Sequence, residues 1–143
     1  MKGEEARMKV KGVRIKDEGR RRKGRKNSYR NLIVWQKSMK LVKEIYKITM
    51  VFPDEEKFGL TSQIKRAAVS VPSNIAEGKG RGTNKDFIYF LYIALGSLYE
   101  LQTQLELANE LGFVKSIDAI DTLSVEIEKM INALINSKKD NNE

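Results

Sequence analysis

From Tyr29 onward the apolar residues return at three-, four- and seven-residue spacings in four successive stretches, with charged residues between them. That spacing gives each stretch one apolar stripe as an α-helix, and the period-two alternation of a half-buried strand occurs nowhere. The chain is therefore confined to helix-on-helix architecture.

The first stretch carries Val34, Leu41, Ile45, Ile48 and Phe52, with Lys37, Lys40, Lys43, Glu44 and Lys47 interleaved. It ends at Phe52-Pro53-Asp54, because proline disfavours helical geometry in the residue before it. The second is predicted to begin at Leu60 or Thr61 and to carry Ile64, Ala67, Ala68, Val71 and Ile75 as far as the Gly78-Lys79-Gly80-Arg81-Gly82 run. Pro72 lies inside it, which predicts a kink near Ala68 to Pro72, with a true break as the alternative. Thr83-Asn84-Lys85-Asp86 has the form of a capping box opening a third helix, which Leu111-Gly112 ends. The fourth is expected to cap at Ser116 and to carry Ile117, Ile120, Leu123, Ile127, Met130, Ile131 and Leu134 before the polar ending. Short connections between consecutive helices give an all-α, antiparallel up-down-up-down four-helix bundle over residues 29–137, with a polar tail at 138–143.

Residues 1–28 have a different composition. They hold four glycines, no aromatic residue and the cluster Arg20, Arg21, Arg22, Lys23, Arg25, Lys26. Such a segment has too little apolar area to offset the entropy of ordering, so it is expected to be a disordered basic N-terminal arm. Twelve Lys or Arg against four Asp or Glu give it +8, and the remaining residues balance at fifteen of each sign. The whole net charge of +8 thus resides in the arm. A basic segment of this kind neutralises phosphates without reading bases. The plainer explanation is that the arm is a solvated leader from an early start codon, given the internal Met8.

Neither cysteine nor histidine is present. This removes disulfides, thiolate chemistry, the usual general base and the commonest metal ligand together. No catalytic residue, metal site or cofactor is assigned on this basis, and a cytoplasmic, non-enzymatic protein is expected. The longest uncharged stretch, Phe87 to Tyr99, is well short of the roughly 20 residues that span a bilayer, and no membrane association is expected.

Ser70, Ser73, Asn74 and Glu77 are the group closest to a catalytic constellation, but structural hydrogen bonding is the better explanation for them. Gly78, Gly80 and Gly82 follow a helix instead of joining a strand to one, so they indicate a helix stop before a phosphate-cradling loop. Lys79, Arg81 and Lys85 gather around that stop, beside the positive end of the third helix dipole, as candidate phosphate contacts. Helix three carries more apolar residues than one stripe needs, from Phe87, Ile88, Phe90 and Leu91 to Ala108. That points equally to self-association and to wide burial by the sister helices. Gly96 and Ser97, next to Ala94, form a small-residue patch where another backbone can approach. Trp35, Tyr46, Tyr89, Tyr92 and Tyr99 are read as core or interface aromatics before base-stacking ones.

The segments Leu32-Ile33-Val34-Trp35-Gln36-Lys37, Gly59-Leu60-Thr61-Ser62-Gln63-Ile64-Lys65-Arg66-Ala67-Ala68 and Ser70-Val71-Pro72-Ser73-Asn74-Ile75-Ala76-Glu77-Gly78 carry a resemblance. Together with Phe87, Phe90, Leu91, Ala94, Gly96-Ser97-Leu98 and Glu100-Leu101, they resemble the bacterial 23S rRNA intervening-sequence, or S23-type, family over roughly Tyr29 to Ile135. That resemblance implies a four-helix bundle assembling as a homopentamer. The family is also similar to accessory variability proteins of diversity-generating retroelements, which bind nucleic acid and a reverse transcriptase. It implies RNA or DNA as partner, with a reverse-transcriptase adaptor role as the alternative. Arg66, Asn74, Glu77, Gly78 and Arg81 match the family's pattern.

Overall fold

A computed structural model describes residues 28–141. The expected disorder of the arm, and its candidates Arg20, Arg21, Arg22, Lys23, Arg25 and Lys26, lie outside the described residues.

A 3-10 turn at Tyr29–Asn31 leads into α1 (Ile33–Ile48). Two further 3-10 turns, Thr49–Val51 and Asp54–Glu56, connect to α2 (Leu60–Gly80), followed by α3 (Asn84–Glu110) and α4 (Asp118–Asp140). No strand occurs among the described residues. α1 packs on α2 and α4, and α3 on α2 and α4, with no substantial contact across either diagonal. The four helices thus stand at the corners of a square around one core.

Each boundary has a local cause. Phe52 is extended (φ −69°, ψ 152°) before Pro53, as the steric argument requires. The Glu56 carboxylate accepts from the Leu60 amide at 3.2 Å, so the start of α2 is satisfied from four residues upstream. Gly82 closes α2 at φ +86°, a conformation costly for any residue with a Cβ. Thr83 Oγ1 accepts from the Asp86 amide at 3.2 Å, the cap expected for α3. The C-terminus of α3 is a Schellman motif around Gly112 (φ +78°), with the Phe113 amide donating to Ala108 and the Gly112 amide to Asn109. α4 starts one residue later than a Ser116 cap implies: Ile117 occupies the cap, and Ser116 Oγ accepts from the Asp118 amide at 3.2 Å. It also continues to Asp140, past the expected end at residue 137, with Lys138 and Lys139 complementing the negative end of its dipole.

Pro72 does not break α2. Proline withholds the donor owed to residue 68, and side chains in the next turn add donors nearby. Ser73 Oγ donates to the Val69 carbonyl at 2.8 Å, and Asn74 Nδ2 to the Ser70 carbonyl at 2.8 Å. Pro72 itself is buried among core residues, so packing holds the helix through the weakened turn.

The core takes Val34, Leu41 and Ile45 from α1, Ile64, Ala68, Val71 and Ile75 from α2, and Ile127, Ile131 and Ile135 from α4. α3 contributes Phe87, Leu91, Ala94, Leu95, Leu98, Leu101, Leu105 and Ala108. Most of the apolar excess of α3 is therefore absorbed by its sister helices. What remains outside is mostly aromatic: Tyr89, Tyr92 and Tyr99 are each about half exposed, as is Leu107.

Candidate nucleic-acid interface

The Ser-Val-Pro-Ser-Asn-Ile-Ala-Glu-Gly segment forms the joint between α2 and α3. Val71 and Ile75 point into the core. On the α3 side, Asn74 Nδ2 donates to Ser70 Oγ at 2.9 Å, and Ser70 Oγ shares a hydrogen bond of 2.8 Å with Ser97 Oγ. A chain of short polar groups thus ties the two helices together halfway along. Further toward the turn, a Cβ placed on Gly78 would stand 2.6 Å from Phe90 Cβ and 3.2 Å from Phe87 Cδ1. Only a hydrogen fits there, because Phe90 Cβ is fixed to its backbone and cannot swing away. Ser70, Ser73 and Asn74 are engaged in helix packing and back-bonding, and no group of acids that could hold a metal ion occurs among the described residues.

Glu77 lies one turn before the helix end and pairs with Arg81, its Oε1 accepting from Nη2 at 2.7 Å. That hydrogen bond, with the charge of Glu77, raises the Arg81 pKa further. The guanidinium also lies 5.1 Å from the Phe90 ring centroid, and Lys79 Nζ is 5.8 Å from that of Phe87. Aromatic rings that form the joint therefore support two of the turn's cations. Lys85, in the first turn of α3, has no partner among the described residues. The structure brings Lys79, Arg81 and Lys85 to one turn. Glu77 and Asp86 stand beside them and leave the turn one positive charge in excess. Arg66 is not part of this cluster: it faces outward on α2, thirteen residues or about 20 Å of helix before Lys79.

The basic segment joins the bundle through the Tyr29–Asn31 turn, which packs on α1 and α2. Lys65 Nζ sits 4.8 Å from the Tyr46 ring centroid, setting the last turns of α1 against the first turns of α2. In an antiparallel pair the start of α1 then lies about 20 Å away, toward the Gly78 end of α2. The arm therefore joins at the end that carries Lys79, Arg81 and Lys85.

Sequence reasoning missed two features. Arg30 is buried, its guanidinium 4.8 Å from the Tyr29 ring centroid and its Nη1 without a hydrogen-bond partner among the described residues. Its own carbonyl accepts from Gln36 Nε2 at 2.8 Å, which anchors the entry turn on α1. Nothing in the local pattern marks it, since it lies outside every periodic stretch. The second feature is the distribution of charge in the neutral bundle. α1 has Lys37, Lys40, Lys43 and Lys47 against Glu44, a net +3, and α2 has Lys65, Arg66 and Lys79 against Glu77, a net +2. α3 and α4 are net −3 and −2. Counting charge helix by helix finds this from sequence, but only the packing shows which helices lie opposite.

No described helix is long and apolar enough to cross a membrane. Comparison with curated proteins gives no match. Among solved structures, a protein of unknown function from the S23 ribosomal protein family of Bacteroides thetaiotaomicron is similar, with 29% identity and a TM-score of 0.65. The match covers 72% of this chain and 98% of that one. Residues 30–133, from the entry turn into the last helix, match the 23S rRNA-intervening sequence protein family. With this pattern running through all four helices and the α2–α3 joint, the chain belongs to the 23S rRNA-intervening sequence protein family.

Proposed function

We propose that this protein is a non-enzymatic, cytoplasmic, homo-oligomeric bundle that binds nucleic acid, RNA foremost, through the phosphate backbone. One observation carries the proposal: Lys79, Arg81 and Lys85 occupy the end of the bundle at which the arginine-rich segment joins it. Cations gathered at one end of a neutral body give a local phosphate-binding field, which net charge alone would not supply. A pentamer is the stoichiometry that the family resemblance suggests.

Binding of the full chain to a structured RNA across a salt series tests this. Log K should fall linearly with log salt, by roughly 0.7 to 0.9 per phosphate contact. Replacing the six arm cations from Arg20 to Lys26 with Gln should remove most of that slope. Replacing Lys79, Arg81 and Lys85 with Gln should remove a smaller part. Undetectable or salt-independent binding by the unaltered chain would sink the proposal.

A further inference from the structure

The acids that make α3 and α4 negative are not spread evenly along them. The two helices are antiparallel, Tyr92 meeting Lys139 and Tyr99 meeting Glu128, so residues 84–99 lie beside residues 129–140. These stretches hold Lys85, Lys129, Lys138 and Lys139 against Asp86 and Asp140, a net +2, whereas the remainder of the two helices holds seven acids and no base. The cationic end of the bundle therefore continues from the α2–α3 turn onto the outer face of α3.

On that face Lys85, Tyr89, Tyr92, Gly96 and Tyr99 follow one another at spacings of three or four residues, which places them on one stripe. Between Lys85 and Tyr99 every exposed large apolar side chain is a tyrosine, and Tyr89, nearest the turn, is 61% exposed. The rings are held at their edges. Tyr92 accepts from Lys139 Nζ at 2.8 Å, Tyr99 donates to Glu128 at 3.5 Å, and Tyr89 forms a T-shaped pair with Phe90 at 5.2 Å between centroids. Rings fixed in this way lose little freedom when a flat group stacks on them. Gly96 leaves a space in the middle of the stripe: Tyr92 and Tyr99 are about 10 Å of helix apart, and a Cβ at position 96 would meet none of the described residues within 4 Å. Glycine inside a helix is unfavourable relative to alanine, and the described packing has no need of it there.

We infer that this stripe is a stacking platform for the unpaired bases of single-stranded RNA, entered from the α2–α3 turn. This rests on the phosphate-binding reading above and names the kind of nucleic acid it takes. Fixed rings stack bases of any sequence, and the cations beside them hold the phosphates that join those bases. A duplex keeps its base faces in its own stack, so it can use the cations but not the rings. The acids beyond Tyr99 repel a phosphate backbone, which confines the strand to the stretch from Lys85 to Tyr99, about 20 Å of helix.

Fluorescence anisotropy on nucleic-acid-free full-length protein tests this, with a labelled short oligoadenylate and a labelled abasic strand of equal length and charge. The unaltered chain should bind the oligoadenylate at least about fivefold more tightly, the effect of one stacked base. Tyr89→Ala combined with Tyr99→Ala should remove that preference and leave abasic binding unchanged. Gly96→Leu should reduce the preference by filling the space, and Tyr99→Phe, which keeps the ring, should preserve it. Circular dichroism and light scattering follow the fold and the mass of each variant. An unaltered chain that binds neither probe overturns both the platform and the phosphate-binding reading. Equal binding of the two probes, or a preference that survives loss of the tyrosines, overturns the platform alone. So does a changed mass in the tyrosine variants, because the face is then a contact between copies.

Discussion

Gly78 and Gly96 are both helical glycines, one on each of the two helices that pack most closely, and their surroundings differ completely. Gly78 is buried against Phe90 and Phe87, while Gly96 faces open space between exposed tyrosines. The first glycine is demanded by the chain's own fold. The second is not, since a Cβ at position 96 would meet none of the described residues within 4 Å. The joint and the outer face of α3 are thus two kinds of surface on one helix: one closed by intramolecular packing, the other left open.

The sharpest way to break this comparison is Gly78→Ala. A methyl 2.6 Å from Phe90 Cβ forces the helices apart, a cost of about 1–3 kcal/mol for overpacking. That exceeds the gain of up to about 1 kcal/mol in helix propensity, so a chemical-denaturation midpoint should fall. An unchanged midpoint would mean that the joint is looser than its geometry indicates. Thr83→Ala should cost about 1 kcal/mol by leaving the Asp86 amide without its cap, read in the same titration. Ser97→Ala removes the link from Ser70 to α3 and should cost about 0.5–1.5 kcal/mol. If it costs nothing, the polar chain contributes no net stability. Gly96→Ala has the smallest expected effect and the opposite sign, a gain of up to about 1 kcal/mol in the isolated chain, measured under conditions that keep it monomeric. A loss there would show that Gly96 serves the chain's own fold and would erase the contrast with Gly78.

Much of the fold was legible because its signals are local. The apolar spacing of Val34, Leu41 and Ile45 needs only the helical period, and Gly82, Thr83 and Gly112 act through their own backbone geometry or nearest amides. Local reasoning was weaker where a remote partner decides the outcome. Proline at 72 left a break open beside the expected kink, and the helix runs through it because its neighbours donate to nearby carbonyls and the core covers it. The candidate site divided in the same way. Lys79, Arg81 and Lys85 are neighbours in sequence and stay together in space, whereas Arg66, which matches the family's pattern as Arg81 does, stands about 20 Å of helix before Lys79.

The sequence by itself determined four amphipathic helices, their stops and a separate basic segment, because periodicity, capping and turn chemistry act over a few residues. Only the tertiary structure decided that Gly78 is a point of contact and Gly96 an opening. It also turned a bundle of zero net charge into two halves of opposite sign. Those are properties of proximity across the chain, and proximity is set by which helix faces bury one another, something no local pattern encodes.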